Sequence, residues 1–185
     1  MALEGEHGLA GWLARWRVPL GFAAGAAVFW LARPTVTTLA AGAALASVGE
    51  IVRIWAAGHV EKSREVTQSG PYWFVRHPLY VGSAIMGAGL AVASGSLLAA
   101  ALIAGYLALT MRAATTTEDA FLRRQFGAAY DRYRHGAVPS VSRRFSLERV
   151  WRNREHRAVV GLLAVFALLL VRMWMVGAPV GVTPP

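Results

Sequence analysis

Five apolar stretches joined by short basic connections constrain this chain more than anything else in it: Val18 to Ala32, Thr37 to Ala57, Leu79 to Ala93, Ser96 to Ala113 and Ala158 to Val176. An apolar run of about 20 residues crosses the hydrocarbon core of a bilayer as a helix. With 56% hydrophobic and 16% charged residues, a soluble fold would have more apolar surface than it could hide. Gly and Ala sit inside the runs, where closely packed membrane helices use small residues. The expected fold is an all-α integral membrane protein: about five transmembrane helices plus a cytoplasmic amphipathic helix, one membrane domain over residues 1–185. The first run is read as a span and not as the core of a signal peptide, because Glu4 and Glu6 lead it and Arg33-Pro34 makes a poor cleavage site.

The net charge of +9 has a topological explanation. Arg15 and Arg17 precede the first span, and Lys62, Arg64 and Arg76 lie in the loop from Gly58 to Pro78. Eleven arginines fall between Arg112 and Arg157, whereas the opposite side offers little besides Arg33. Basic loops mark the cytoplasmic side, so the N-terminus, the 58–78 loop and the 114–157 segment are expected in the cytoplasm and the tail from Gly177 outside. Anionic lipid headgroups, not nucleic acid, are the expected partner of this charge; the sequence specifies no protein partner. The Arg143-to-Arg157 cluster reads as a positive-inside stop before the last span, with headgroup binding as a second role. Arg172, near the far end of that span, is expected to snorkel to the interface. The chain has no cysteine, which removes disulfides, thiolate metal sites and a cysteine nucleophile. His7 lies in the N-terminal arm, and His59, His135 and His156 have no partner at ligand spacing, so no metal is expected.

Between spans three and four, Ser94-Gly95-Ser96 predicts a tight turn and a helical hairpin. From Glu118 to His135, Phe121, Leu122, Phe126, Ala129, Tyr130 and Tyr133 fall on one helical face, which predicts an amphipathic helix begun by a Thr115–Glu118 capping box and ended by Val138-Pro139. In the second span, Glu50 and Arg53 stand three apart, within reach of an ion pair. They read either as a structural pair near the interface or as the lining of a polar cavity.

The richest stretch is Ser69-Gly70-Pro71-Tyr72-Trp73-Phe74-Val75-Arg76-His77-Pro78-Leu79-Tyr80-Val81-Gly82. Gly-Pro turns the chain, Pro78 fixes the entry of the third span, and Gly82 permits a close backbone approach. Arg76, His77 and Tyr80 are delivered to the membrane surface, either as an interfacial anchor or as a working site.

This run, followed after the hairpin by Glu118-Asp119-Ala120-Phe121-Leu122, by Phe126-Gly127-Ala128-Ala129-Tyr130-Asp131-Arg132-Tyr133 and by Val138-Pro139, resembles the isoprenylcysteine carboxyl methyltransferase family and the related phospholipid N-methyltransferases. The resemblance covers about residues 50–140, with a further C-terminal span at 158–176. It implies an S-adenosylmethionine site facing the cytoplasm, built from the Arg-His-Pro loop, the end of the fourth span and the amphipathic helix. His77, Tyr80 and Glu118 would hold the cofactor, with Pro78 and Gly82 in the same set and Tyr130 and Tyr133 nearby. Arg76 would grip an acceptor carboxylate, with Glu50 and Arg53 on the substrate side. The family has two glutamates where this chain has Glu118-Asp119, and the shorter Asp119 leaves the second carboxylate without an assigned role.

The expected activity is methyl transfer to a lipophilic, membrane-resident acceptor, a carboxylate or the amine of a lipid, in a bacterial inner membrane as the short loops suggest. A membrane reductase using a nicotinamide cofactor and a non-catalytic lipid-binding scaffold are the alternatives. Preferential binding of a dinucleotide marks the first, a collapsed pocket the second.

Overall fold

The computed structural model describes residues 9–136 and 143–177. The arm with Glu4, Glu6 and His7, the Val138-Pro139 boundary and the tail after Gly177 lie outside the described residues. Among the described residues seven α-helices follow in order: α1 (Leu9–Leu31), α2 (Val36–Ala57), α3 (Pro78–Ser94), α4 (Leu97–Phe126), α5 (Ala128–Arg134), α6 (Leu147–Arg152) and α7 (His156–Gly177). No strand occurs among the described residues. The five apolar stretches each lie on one of the long helices. Three of these, α2, α4 and α7, are long and apolar enough to cross a membrane, while α3 has 17 residues and the apolar part of α1 is Pro19–Leu31.

Side-chain size is sorted as a lipid solvent requires. Ala32, Ala46, Ala56, Ala57, Ala93 and Ala99 are buried, and Leu97, Leu98, Leu163 and Trp174 face outward. The tightest contact joins α2 to the antiparallel α3. A Cβ added to Gly42 would meet the carbonyl oxygen of Gly89 at 2.5 Å, and one added to Gly49 would meet the carbonyl oxygen of Gly82 at 2.6 Å. Both glycine pairs repeat at seven residues, which keeps them on one seam of each helix. Gly82 thus makes the close approach its position predicts, and what it approaches is α2.

The helix ends carry local reasons. Thr35 caps α2, accepting a hydrogen bond from the Thr38 amide at 3.1 Å while Thr38 Oγ1 accepts one from the Thr35 amide at 2.9 Å. Gly95, with φ +60°, ends α3 in the left-handed region. Ser96 caps α4, and the α3–α4 hairpin forms where the sequence places it. The hairpin turn is tied to the α1–α2 turn by the Arg33 amide, which donates to the Ser94 carbonyl at 2.7 Å. Arg172 reaches toward the same end of the bundle: its guanidinium donates to the carbonyls of Trp30 at 2.6 Å and Ala32 at 3.3 Å. It satisfies the last carbonyls of α1.

The expected amphipathic helix is not a separate element. Thr115 caps nothing, since its hydroxyl donates back to the Met111 carbonyl at 2.9 Å; Thr116 and Thr117 do the same to Arg112 and Ala113. Three threonines that satisfy themselves within the helix leave no reason for it to restart. It runs on to Phe126 and breaks at Gly127, where φ is +48°. The 30 residues of α4 make a rod of about 45 Å, longer than the roughly 30 Å hydrocarbon core. Its last turns, with Glu118 and Asp119, project past the apolar part and meet α5.

Candidate functional site

The site forms at the end of the bundle where the 58–77 loop, the starts of α3 and α7, the projecting end of α4 and α5 converge. The loop is anchored from within. Gly70, at φ +61°, lies so near His59 that an added Cβ would meet the imidazole at 2.6 Å. His59 itself holds the Trp55 carbonyl at 2.9 Å through Nδ1. Pro71 and Tyr72 are buried in the single 3-10 turn Gly70–Trp73. Tyr133 on α5 donates from its hydroxyl to the Tyr72 carbonyl at 2.7 Å, and Gln125 donates to the Ser63 carbonyl at 2.9 Å. The aromatic face predicted for residues 118–135 therefore packs on the loop.

The segment after residue 142 closes over the same loop. Arg143 donates to Glu65 at 2.6 Å, Arg149 to the Gly58 carbonyl at 2.7 Å and Arg152 to Glu61 at 2.6 Å. Asn153 reaches the Ala57 and Val60 carbonyls at 2.9 and 3.2 Å, which satisfies the end of α2. The basic cluster thus folds back as a wall of the site.

His77, at the entry to α3, is held by two adjacent carboxylates. Its Nε2 lies 2.8 Å from Asp119 Oδ1, and its Nδ1 lies 3.8 Å from Glu118 Oε2. Asp119 also accepts a hydrogen bond from the Tyr130 hydroxyl at 2.5 Å. Burial pushes the Asp119 carboxyl up, but the Tyr130 hydrogen bond, the charge and hydrogen bond of His77 and the charge of Arg76 outweigh it and hold it below its ordinary value. Ionised Asp119 can only accept, so the hydrogen-bond network assigns a proton to His77 Nε2. The Tyr80 ring is tilted against the imidazole with centroids 5.7 Å apart.

Three phenols around this cluster stay protonated well above neutrality. Burial first, then the charge of Glu118, raises Tyr72; burial and the bond to Asp119 raise Tyr130; burial pushes Tyr133 up to about 12. They can donate hydrogen bonds but cannot take a proton near pH 7.

Two adjoining cavities open on this cluster. The first, of about 220 Å³, is bounded by loop residues 60–63 and 65–67 and by Tyr72, Phe121, Leu122, Tyr130 and Tyr133. The second, of about 540 Å³, is bounded by Arg53, Leu79, Tyr80 and residues 153–155, 157 and 158. Lys62, Tyr72, Arg76, His77 and Glu118 line both and form the shared wall. The charges differ in sign. The first cavity has Glu61, Glu65 and Glu118 against Lys62 and Arg76; the second has Arg53, Lys62, Arg76, Arg154 and Arg157 against Glu118 and Glu155.

Of the residues singled out by sequence, Arg76, His77, Tyr80, Glu118, Tyr130 and Tyr133 come together here. Pro78 is fully buried as the first residue of α3, and Gly82 is packed against Gly49 and Arg53 in the α2–α3 seam. Arg53 lines the second cavity but is held chiefly by Glu155, at 2.5 Å, with Glu50 at 3.9 Å. It also bonds the Ser83 hydroxyl. Glu50 is buried, and neither of its carboxylate oxygens has a hydrogen-bond partner among the described residues. Sequence reasoning missed the weight carried by Asp119 and the places of Lys62, Arg154, Glu155 and Arg157. A carboxylate isolated among arginines was the one available sign of Glu155.

Comparison with known proteins agrees on the region that matters. The family model for phospholipid methyltransferases matches residues 35–129, from the cap of α2 to the start of α5. The chain is similar to the nickel-cobalt-cadmium resistance protein NccN of Alcaligenes xylosoxydans xylosoxydans, with 34% identity over 122 residues, 65% of this chain and 55% of that protein. It is also similar to the cobalt-zinc-cadmium resistance protein CzcN of Cupriavidus metallidurans, with 33% identity over 139 residues, 69% of this chain and 63% of that protein. The chain thus spans less than two thirds of the length of either relative. No solved structure matches. The matched stretch holds His77, Tyr80, Glu118 and Asp119 within one continuous set of helices apolar enough for the bilayer, and the chain is an integral membrane protein that belongs to the phospholipid methyltransferase family, related to the isoprenylcysteine carboxyl methyltransferases.

Proposed function

We propose that this protein transfers a methyl group from S-adenosylmethionine to a lipophilic acceptor resident in the membrane, a carboxylate or the amine of a lipid. The observation that carries the reading is the pair of cavities with opposite charge balance sharing the His77–Glu118 wall. The cofactor brings two cationic groups, a carboxylate and an aromatic base. The three carboxylates of the first cavity, its two cations and its tyrosine and phenylalanine faces fit that set. At about 220 Å³ the first cavity is smaller than ordinary ligand pockets of roughly 300 Å³ or more, so the cofactor would extend past the shared wall. When bound, it supplies a methyl group attached to a sulfonium, open to direct displacement.

The chain's own residues supply alignment and, for an amine acceptor, a base. Asp119 holds the Nε2 proton of His77, so Nδ1, 3.8 Å from Glu118 Oε2, is the ring nitrogen that can take the proton an amine gives up when the imidazole is in its neutral form. A carboxylate acceptor is already ionised and needs only orientation and exclusion of water, with Arg76 as its bidentate partner. Arg76 makes no hydrogen bond or ion pair with the described residues, which suits a side chain kept for a ligand.

The topology that accompanies this reading has five spans, with α1 and α3 as the short ones, and a cytoplasmic N-terminus and active site in a bacterial inner membrane. It is supported by the placement of the long basic loops at one end of the bundle and of the two short turns at the other. The names of the two relatives add a setting: esterifying an acidic headgroup removes a negative charge from the membrane surface, and that charge concentrates divalent cations there.

Calorimetric titration of S-adenosylmethionine into the detergent-purified protein tests the reading. Binding is expected, and Glu118→Ala weakens it. A folded sample that does not bind, or one stabilised only by a nicotinamide dinucleotide, overturns methyl transfer in favour of a scaffold or a reductase.

A further inference from the structure

The second cavity is larger than the first and carries five cations against two carboxylates. Its cations are not all of one kind. Arg53 is neutralised by Glu155 at 2.5 Å, and the neighbouring arginines of the basic segment are consumed by the fold: Arg143 by Glu65, Arg149 by Gly58, Arg152 by Glu61. Arg154 and Arg157 are different. Both line the cavity, and neither makes an ion pair or side-chain hydrogen bond among the described residues.

The turn that presents them is held in a costly shape. Arg154 has φ +60°, a left-handed conformation that strains a residue with a side chain. The next residue, Glu155, is buried and locked to Arg53, which fixes the turn. The cavity also lies at the N-terminal ends of α3, through Leu79 and Tyr80, and of α7, through Arg157 and Ala158. Helix N-termini favour negative charge. Three guanidinium groups without an ion pair among the described residues, Arg76 on the shared wall and Arg154 and Arg157 on the opposite turn, converge on one space with two helix N-termini and an apolar edge.

We infer that the second cavity is the receiving site for an amphiphile whose head group is an oxyanion, a carboxylate or a phosphate, gripped by Arg154 and Arg157. The inference rests on the methyl-transfer reading for calling that amphiphile the acceptor. Both arginines lie outside residues 35–129, the part matched to the family. The role is recognition: Arg154 and Arg157 draw the anionic head group into the cavity, whose shared wall carries Arg76 as the partner of a carboxylate at the point of transfer.

The test uses the full chain in a neutral maltoside detergent and follows binding by calorimetry. The probes are dodecanoate, dioctanoyl phosphatidic acid, the neutral dodecanamide and inorganic phosphate. Arg154→Asn combined with Arg157→Gln removes both charges, and asparagine tolerates the left-handed turn. Saturable binding of an anionic amphiphile is expected, with none of the amide and much weaker binding of inorganic phosphate. The double variant should weaken the amphiphile by at least about tenfold while changing S-adenosylmethionine affinity much less. Equal binding of the amide, equal affinity in the variant, or inorganic phosphate binding as tightly as the amphiphiles would overturn the inference. Anion binding without any S-adenosylmethionine binding would uphold the anion site and overturn the methyl-transfer reading, so the two failures separate.

Discussion

Asp119 Oδ1 lies 2.8 Å from His77 Nε2, a full ångström closer than Glu118 comes to the other nitrogen of the same ring at 3.8 Å. The carboxylate one methylene shorter than the family's second glutamate is the one that orients the histidine. Asp119→Asn presents either an oxygen or an NH₂ to Nε2 and loses control of the tautomer. Transfer to an amine acceptor should fall by about tenfold or more, with a smaller loss for Tyr130→Phe. Steady-state rates with labelled methyl donor, over a range of pH, check this; a carboxylate acceptor would show a much flatter pH profile.

The depressed Asp119 carboxyl makes stability depend on acid pH. Its contribution is present above its ordinary value of 3.8 and is lost as pH falls through the lower value it has in the fold. The gap in melting temperature between the wild type and Asp119→Asn should be constant from neutrality down to about pH 4 and shrink below that. For Tyr133 the sign is opposite: its contribution is present below the ordinary 10.0 and lost as pH rises through about 12. Alkaline titration of tyrosine absorbance should therefore show Tyr72, Tyr130 and Tyr133 ionising late.

Gly49→Ala places a methyl group 2.5 Å from the Met86 amide nitrogen and 2.6 Å from the Gly82 carbonyl. Backbone atoms cannot step aside, so α2 and α3 must separate, at a loss of about 1–3 kcal/mol. Gly105→Ala, where an added Cβ meets nothing within 4 Å, should be neutral. Thermal unfolding in detergent distinguishes them.

Glu155 is 4% exposed and bonds Arg53 across 102 residues of chain. Glu155→Gln leaves a partly buried guanidinium short of its counter-charge, at a loss of roughly 3 kcal/mol. The loss should appear as faster amide exchange in residues 143–157, because this pair fixes that segment to the bundle. Replacing Arg53 as well, with methionine, should recover part of the stability.

What was legible in the sequence is what local patterns record. The apolar runs locate the five long helices, Ser94-Gly95-Ser96 locates the hairpin, and the Arg76-His77-Pro78 run and Glu118 meet as the motif series implies. Thr115 misled because a threonine that caps a helix and one that bonds its own preceding turn look alike in sequence. The fold-back of Arg143, Arg149 and Arg152 was invisible for another reason: their partners lie 78 to 91 residues away, and a basic cluster before a span already has a sufficient topological explanation. The partners of Arg172 were invisible likewise, since the α1 carbonyls it satisfies are 140 and 142 residues distant.

The unbroken course of α4 turns the helix into a lever. Ser96 at the hairpin and Asp119 at the site ride on one rigid rod, separated by about 35 Å. Membrane helices answer a change in bilayer thickness by tilting, and a tilt of about 5° pivoting at the hairpin would swing the far end of such a rod by about 3 Å. That distance is comparable to the 2.8 Å between His77 and Asp119. A change in bilayer thickness that tilted α4 against α3 would therefore be felt at the contact that orients the histidine.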